Sequence, residues 1–110
     1  MSPQKQALLR GTLDLLVLKA LSTQTLHGVG LAARIEQMTE GSYTVSFGSL
    51  FPALHRMEEK GWLESSWQTS DRKRRARYYS LSTEGRRQLE EERRSWDETV
   101  AIMSLALEEQ

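Results

Sequence analysis

The chain has 110 residues, 15 Lys/Arg balanced by 15 Asp/Glu, two His and no Cys. That length fits one compact domain with one extended element, and the missing cysteines exclude disulfide frameworks and thiolate zinc sites. With only His27 and His55, a metal centre would need several carboxylates around them, and no cofactor-binding motif is present. No apolar run reaches the ~20 residues of a membrane helix, and the N-terminal MSPQKQALLR lacks the layout of a signal peptide, so a cytoplasmic protein is expected.

The zero net charge conceals an asymmetry. Residues 1–82 carry 11 Lys/Arg against 7 Asp/Glu, and residues 83–110 carry 4 against 8. A basic face followed by an acidic helix that does not join in binding has this form.

Taken in order, Thr12 to Leu21 reads as a helix: Leu13, Leu16, Val17, Ala20 and Leu21 repeat at helical spacing, and Leu15 and Leu18 make it apolar nearly all round. A break at Ser22–Gly28 follows. A second helix runs from Val29 to Glu40, with Leu31, Ile35 and Met38 on one face and Gly41 as its C-cap. A third is predicted from about Phe47 to Lys60, where Phe47, Leu50, Leu54 and Met57 form a buried stripe and Gly61 ends the helix. Pro52 lacks an N–H and belongs in the first turn or two, or else the helix begins later. Trp62–Gln68 and Arg77–Leu81 then alternate as two strands joined by a loop, Thr69–Ala76, that carries Arg72, Lys73, Arg74 and Arg75. This hairpin must lean on the helices. From Ser82, an N-cap, one long helix runs to about Glu108, with Gly85 weakening its first turn. Leu89, Trp96 and Met103 recur every seven residues and Val100 and Leu107 lie four beyond, a seam that Glu92 interrupts and that needs a partner.

The expected fold is mainly α with a small β-hairpin: a winged helix-turn-helix DNA-binding domain over 1–82 and a C-terminal dimerisation helix over 83–110. The third helix would enter the major groove, presenting Gly48, Ser49, Pro52 and Arg56, with Phe51 and His55 at the flank. Ser49 can donate to a phosphate or base, and Arg56 can pair with a phosphate or guanine. The plainer alternatives are that Ser49 caps the helix and Arg56 is a solvated charge. Arg72, Lys73, Arg74, Arg75 and Arg77 could be a solubilising turn, but a cluster of like charges repels itself and is better tolerated beside a polyanion.

Four motifs are similar to the PadR family of transcription regulators: Gly11-Thr-Leu-Asp-Leu-Leu-Val-Leu, His27-Gly28, Gly48-Ser-Leu-Phe-Pro-Ala-Leu-His-Arg-Met-Glu-Glu-Lys-Gly61, and Tyr79-Ser-Leu-Ser-Thr-Glu-Gly85. The resemblance covers nearly the whole chain and is to the shorter branch, with a single C-terminal helix. It implies a winged helix, a dimer, and repression relieved by a small molecule or other signal. The family usually has Tyr where this chain has Val29 and Phe51, so a hydroxyl is lost twice. If Phe51 takes the family's place near the DNA backbone, its hydrogen bond is missing, which puts the Arg-rich wing ahead of Phe51 as a DNA contact.

A dimer in which the last helix packs on the partner's first and last helices would cover both apolar surfaces. Its expected interface is Leu13, Leu16, Leu89, Trp96, Val100, Met103 and Leu107. Trp96 is also the candidate effector contact, because some PadR-like regulators accept flat aromatic compounds between their C-terminal helices; the alternative is a packing anchor. An enzyme is disfavoured, since there is no cysteine nucleophile, no phosphate-binding glycine loop and no carboxylate–nucleophile set around the histidines. Glu90-Glu91-Glu92 reads as a solvated face, not a metal cluster. The rival is a winged-helix module for protein–protein contact, which has no need of a cationic wing. RNA is disfavoured by the lack of an aromatic platform on the strands. A two-fold dimer should read double-stranded DNA as an inverted repeat.

Overall fold

The computed structural model describes residues 12–69 and 71–109. The N-terminal stretch read for a signal peptide, Gly11 of the first motif and Ser70 of the wing loop lie outside the described residues. The elements are α1 (Leu13–Ala20), β1 (Leu26–His27), α2 (Gly28–Met38), α3 (Phe47–Glu59), β2 (Leu63–Thr69), β3 (Arg75–Leu81) and α4 (Thr83–Glu108). Among them, no helix is long and apolar enough to cross a membrane.

One core joins these elements. Leu13, Val17, Leu18 and Leu21 of the α1 region meet Leu31 and Ile35 of α2, Leu50, Leu54 and Met57 of α3, and Leu63, Tyr79 and Leu81 of the strands. Removal of these apolar side chains from water is the main force holding the helices to the hairpin. Tyr43 and Val45, in the α2–α3 connection, are also buried, so the turn of the helix-turn-helix is anchored from within.

The helix ends follow from local chemistry. α2 closes in a Schellman arrangement: the Gly41 N–H donates to the Glu36 carbonyl and the Glu40 N–H to that of Gln37. The left-handed residue directly after the cap is Glu40, at φ 52°, with Gly41 following at 78°. Gly41 therefore shares the role predicted for it. α3 ends the same way at Gly61, φ 81°, with Trp62 N–H on the Met57 carbonyl and Gly61 N–H on that of Glu58. Pro52 sits in the second turn of α3, where it removes a rung to the Gly48 carbonyl on an exposed face. The helix begins at Phe47 all the same.

Three expectations are corrected. The sheet has three strands in the order β1-β3-β2, all antiparallel. β1 is only Leu26 and His27, paired to Tyr79 and Tyr78, too short for any alternation to register. Phe47 does not join the buried stripe of α3; it is 48% exposed, and Ala53 is buried instead. β3 starts at Arg75, which pairs with Thr69, so the wing loop is shorter than drawn and Arg75 belongs to a strand.

Ser82 caps α4 as predicted, accepting from the Gly85 N–H at 3.0 Å. Gly85 is not a weak point in that turn. A Cβ there would lie 2.0 Å from the Trp62 carbonyl oxygen, so only glycine lets α4 leave the sheet so close to the α3–β2 corner. Leu89 packs against the core; beyond it the helix projects, which gives the molecule a longest extent of 59 Å against 31 and 21 Å.

Candidate nucleic-acid interface

Two surfaces hold the predicted binding residues. The first is the N-terminal half of α3. Its cap is Ser46, whose side chain accepts from the Ser49 N–H at 3.2 Å. Ser49 is thus the capped residue and not the cap, and its hydroxyl lies 3.1 Å from that of Ser46. Gly48, Ser49, Phe51, Pro52, His55 and Arg56 are all exposed. Phe51 lies against the start of α2: a Cβ on Gly28 would come within 2.7 Å of its ring tip. Phe47 is its neighbour, ring centroids 5.7 Å apart.

Arg56 points elsewhere than predicted. Its two terminal nitrogens each donate to a carboxylate oxygen of Asp14 at 2.7 Å. That fork holds the guanidinium pKa above its ordinary value, chiefly through the hydrogen bonds, against a lowering by burial. The side chain is a strut between α1 and α3, and a DNA contact would have to break or share it.

The second surface is the wing. The β2–β3 ladder runs in unbroken register from Leu63↔Leu81 to Thr69↔Arg75. Lys73 occupies a left-handed conformation, φ 59°, which an L side chain takes at some cost and which holds the loop in a tight reversal. Arg72, Lys73 and Arg74 are exposed in that loop. Arg75 and Arg77 share a face of β3 and both lie over the exposed Trp67 ring, at 5.5 and 5.9 Å. Trp67 is a further wing residue that its place on a predicted strand did not mark as part of the site.

Arg77 is held on its inner side. Its Nε donates to the Ser65 hydroxyl at 2.8 Å and a terminal nitrogen to the Glu58 carboxylate at 3.1 Å. The Ser65 hydroxyl donates in turn to Glu58. Glu58 is consequently held below the usual carboxylate range, first by the Ser65 hydrogen bond and then by Arg77, against the opposing effect of burial. Burial pushes the nearby Tyr79 phenol up. This cluster fixes the wing to α3.

A concavity of about 700 Å³ lies between the wing and the start of α2, where Arg72, Arg74 and Arg75 meet His27, Val29 and Tyr78. His27 stacks on Tyr78, centroids 5.1 Å apart. Three of the predicted wing cations are thus brought together beside the helix-turn-helix, while Arg56 and Arg77 are engaged in internal ion pairs. The sequence marks His27 as part of a family motif but not as a binding residue, because it faces the wing only through β1.

The fold that carries these surfaces is shared with proteins of known kind. A family model described as the transcriptional regulator PadR-like family matches residues 17–91. The chain belongs to the PadR-like family. A transcriptional regulator of Mycobacterium tuberculosis is 34% identical over 89 residues, covering 81% of this chain and 79% of the relative. Another, YqjI of Escherichia coli, is 34% identical over 83 residues, covering 76% of this chain but 38% of the relative. Among solved structures, a PadR family regulator from Eggerthella lenta superposes with TM-score 0.83 at 28% identity, covering 97% of this chain and 91% of that one. A PadR-like regulator from Bacillus cereus gives TM-score 0.80 at 26% identity, covering 94% and 99%. The PadR-like chain is therefore a winged-helix transcription regulator of a family that is regulatory, not enzymatic.

The residues expected at a PadR-type dimer interface divide into three groups. Leu13 is 4% exposed, enclosed in the core of the chain itself, which removes it from that list. Leu16 and Leu89 are half-buried and pack against the same core. Trp96, Val100, Met103 and Leu107 are exposed, as are Ile102 and Leu105, two apolar residues off the predicted seam. A groove of about 320 Å³ between α1 and α4 brings Leu16, Lys19, Leu89 and Arg93 to Trp96.

Proposed function

We propose that this PadR-like chain is a homodimeric, sequence-specific DNA-binding repressor, released by a small molecule or other signal. Residues 1–82 bind double-stranded DNA through α3 and the wing, and residues 83–110 pair the protomers. The observation that carries this reading is the gathering of Arg72, Arg74 and Arg75 in one concavity beside the start of α2, with Lys73 exposed in the same loop. Cations placed there meet phosphates when α3 lies in a major groove, and counterion release supplies affinity. Ser49 and Phe51 belong to the same face; Arg56 and Arg77 act mainly by holding it in shape. The groove at Trp96 is the proposed effector site, suited to a small aromatic compound stacking on the indole. If it is, Trp96→Ala abolishes the response of DNA binding to such compounds.

The test is selection of bound fragments from the source genome by purified protein, repeated with Arg72, Lys73, Arg74 and Arg75 all changed to Ala. The expected result is an inverted repeat, half-sites on the order of 10 bp or a multiple apart, that the altered wing no longer enriches. No enrichment by folded wild-type protein at low salt overturns the reading in favour of a protein-contact module.

A further inference from the structure

The helical part of the DNA-facing surface proposed above is apolar. Val29 is 61% exposed, Phe47 48% and Phe51 46%, and the two rings lie 5.7 Å apart. From Tyr43 through His55 the chain has no Arg, Lys, Asn or Gln, the side chains that read guanine or adenine through paired hydrogen bonds. Arg56, the next residue along, has both terminal nitrogens on Asp14. A helix with this face can read few base-edge hydrogen bonds beyond what Ser46, Ser49 and His55 offer.

The apolar patch also borders the cations. Val29 lines the concavity shared by Arg72, Arg74 and Arg75, and Phe51 rests on Gly28 immediately before it. The occupant this combination fits has apolar groups flanked by closely spaced anions. In duplex DNA the apolar group of the major groove is the thymine C5-methyl, and the flanking anions are phosphates. An apolar face exposed to water gains by covering a methyl, whereas against a bare cytosine or guanine edge it would leave polar groups unpaired.

Resting on the DNA-binding reading, we infer that Val29, Phe47 and Phe51 form a thymine-methyl reader, so that the operator carries thymines at the bases facing the start of α3. The probes are duplexes selected by the intact wild-type protein from a random-sequence library, resynthesised with deoxyuridine replacing thymidine one position at a time. At one or two positions in each half-site, loss of the methyl should weaken binding about 4-fold, the effect of one buried methyl-sized group. Phe47→Ala and Val29→Ala, both at exposed positions, should bind the thymidine duplex more weakly and no longer distinguish it from the deoxyuridine duplex at those positions. Tight selected duplexes that show no methyl sensitivity overturn the reader while leaving DNA binding intact. So does sensitivity that persists unchanged in both variants. Failure to select any duplex overturns the DNA-binding reading itself and points to an apolar protein partner for this face.

Discussion

Arg56 on α3 and Asp14 on α1, 42 residues apart in sequence, are joined by two parallel hydrogen bonds of 2.7 Å. The pair sets the position of α3 relative to the first helix, and so of the face that would enter DNA. Asp14 is mostly covered while Arg56 is 46% exposed, so screening by water limits the pair to about 1 kcal/mol. Arg56→Ala and Asp14→Ala should each lower stability by about that much, and the double variant should cost little more than either alone. Urea denaturation of the four proteins checks the coupling; additive losses would mean that the fork contributes nothing.

Gly85→Ala separates two views of one residue. Helix propensity alone favours alanine by about 1 kcal/mol. The Trp62 carbonyl oxygen, 2.0 Å from the added Cβ, is backbone and cannot swing aside. Overpacking of this kind costs about 1–3 kcal/mol or more, so the substitution should lower Tm. A raised Tm would show that α4 can shift outward freely.

Glu58 ties the wing to α3 and makes that junction sensitive to acid. Its carboxyl is held below the ordinary range, chiefly by the Ser65 hydroxyl and then by Arg77. A carboxylate with a lowered folded-state pKa contributes its full stabilisation above the unfolded-state pKa, and loses it as pH falls through the folded value. Stability should therefore decline on acidification, and Glu58→Gln should flatten that decline while lowering Tm near neutrality. Thermal melts across the acid range measure both. An equal acid slope in the variant would assign the decline to other carboxylates.

The parts of this molecule legible in its sequence are those with a repeat or a terminator. The apolar spacing in α1, α2 and α3, the glycine at 61 and the Ser82 cap place the four described helices within a few residues. What stayed hidden depends on contacts between distant segments. Leu26 and His27 become a strand only because β3 offers an unpaired edge. Phe47 has the spacing of a core residue but lies in the first turn, where the helix overhangs the domain. Arg56 looks like a free cation until Asp14 is folded beside it. In the site, the cationic cluster was visible as composition; the concavity that joins it to His27 and Val29 required the sheet. Leu13 shows the same limit in reverse, since an apolar residue on an all-apolar helix gives no sign of which surface covers it.

The proposed dimer gives the last prediction. Beyond Leu89, no described residue of α4 is buried, yet Trp96, Val100, Met103 and Leu107 continue the heptad spacing and are all exposed. Burial of these four side chains at a two-fold seam is what a stable pair requires. Val100 is the cleanest position to test, because it lies well beyond the last core contact of α4. Val100→Glu places a charge on each protomer at the seam and should give a folded protein, with an intact helical spectrum, that sediments as a monomer at micromolar concentration. Leu89→Glu should differ, since Leu89 also packs against its own protomer's core; that variant should lose both the dimer and several degrees of Tm. A wild-type mass of one protomer, or a Val100→Glu protein that keeps the dimer mass, would remove α4 as the pairing element and leave its apolar face to some other partner.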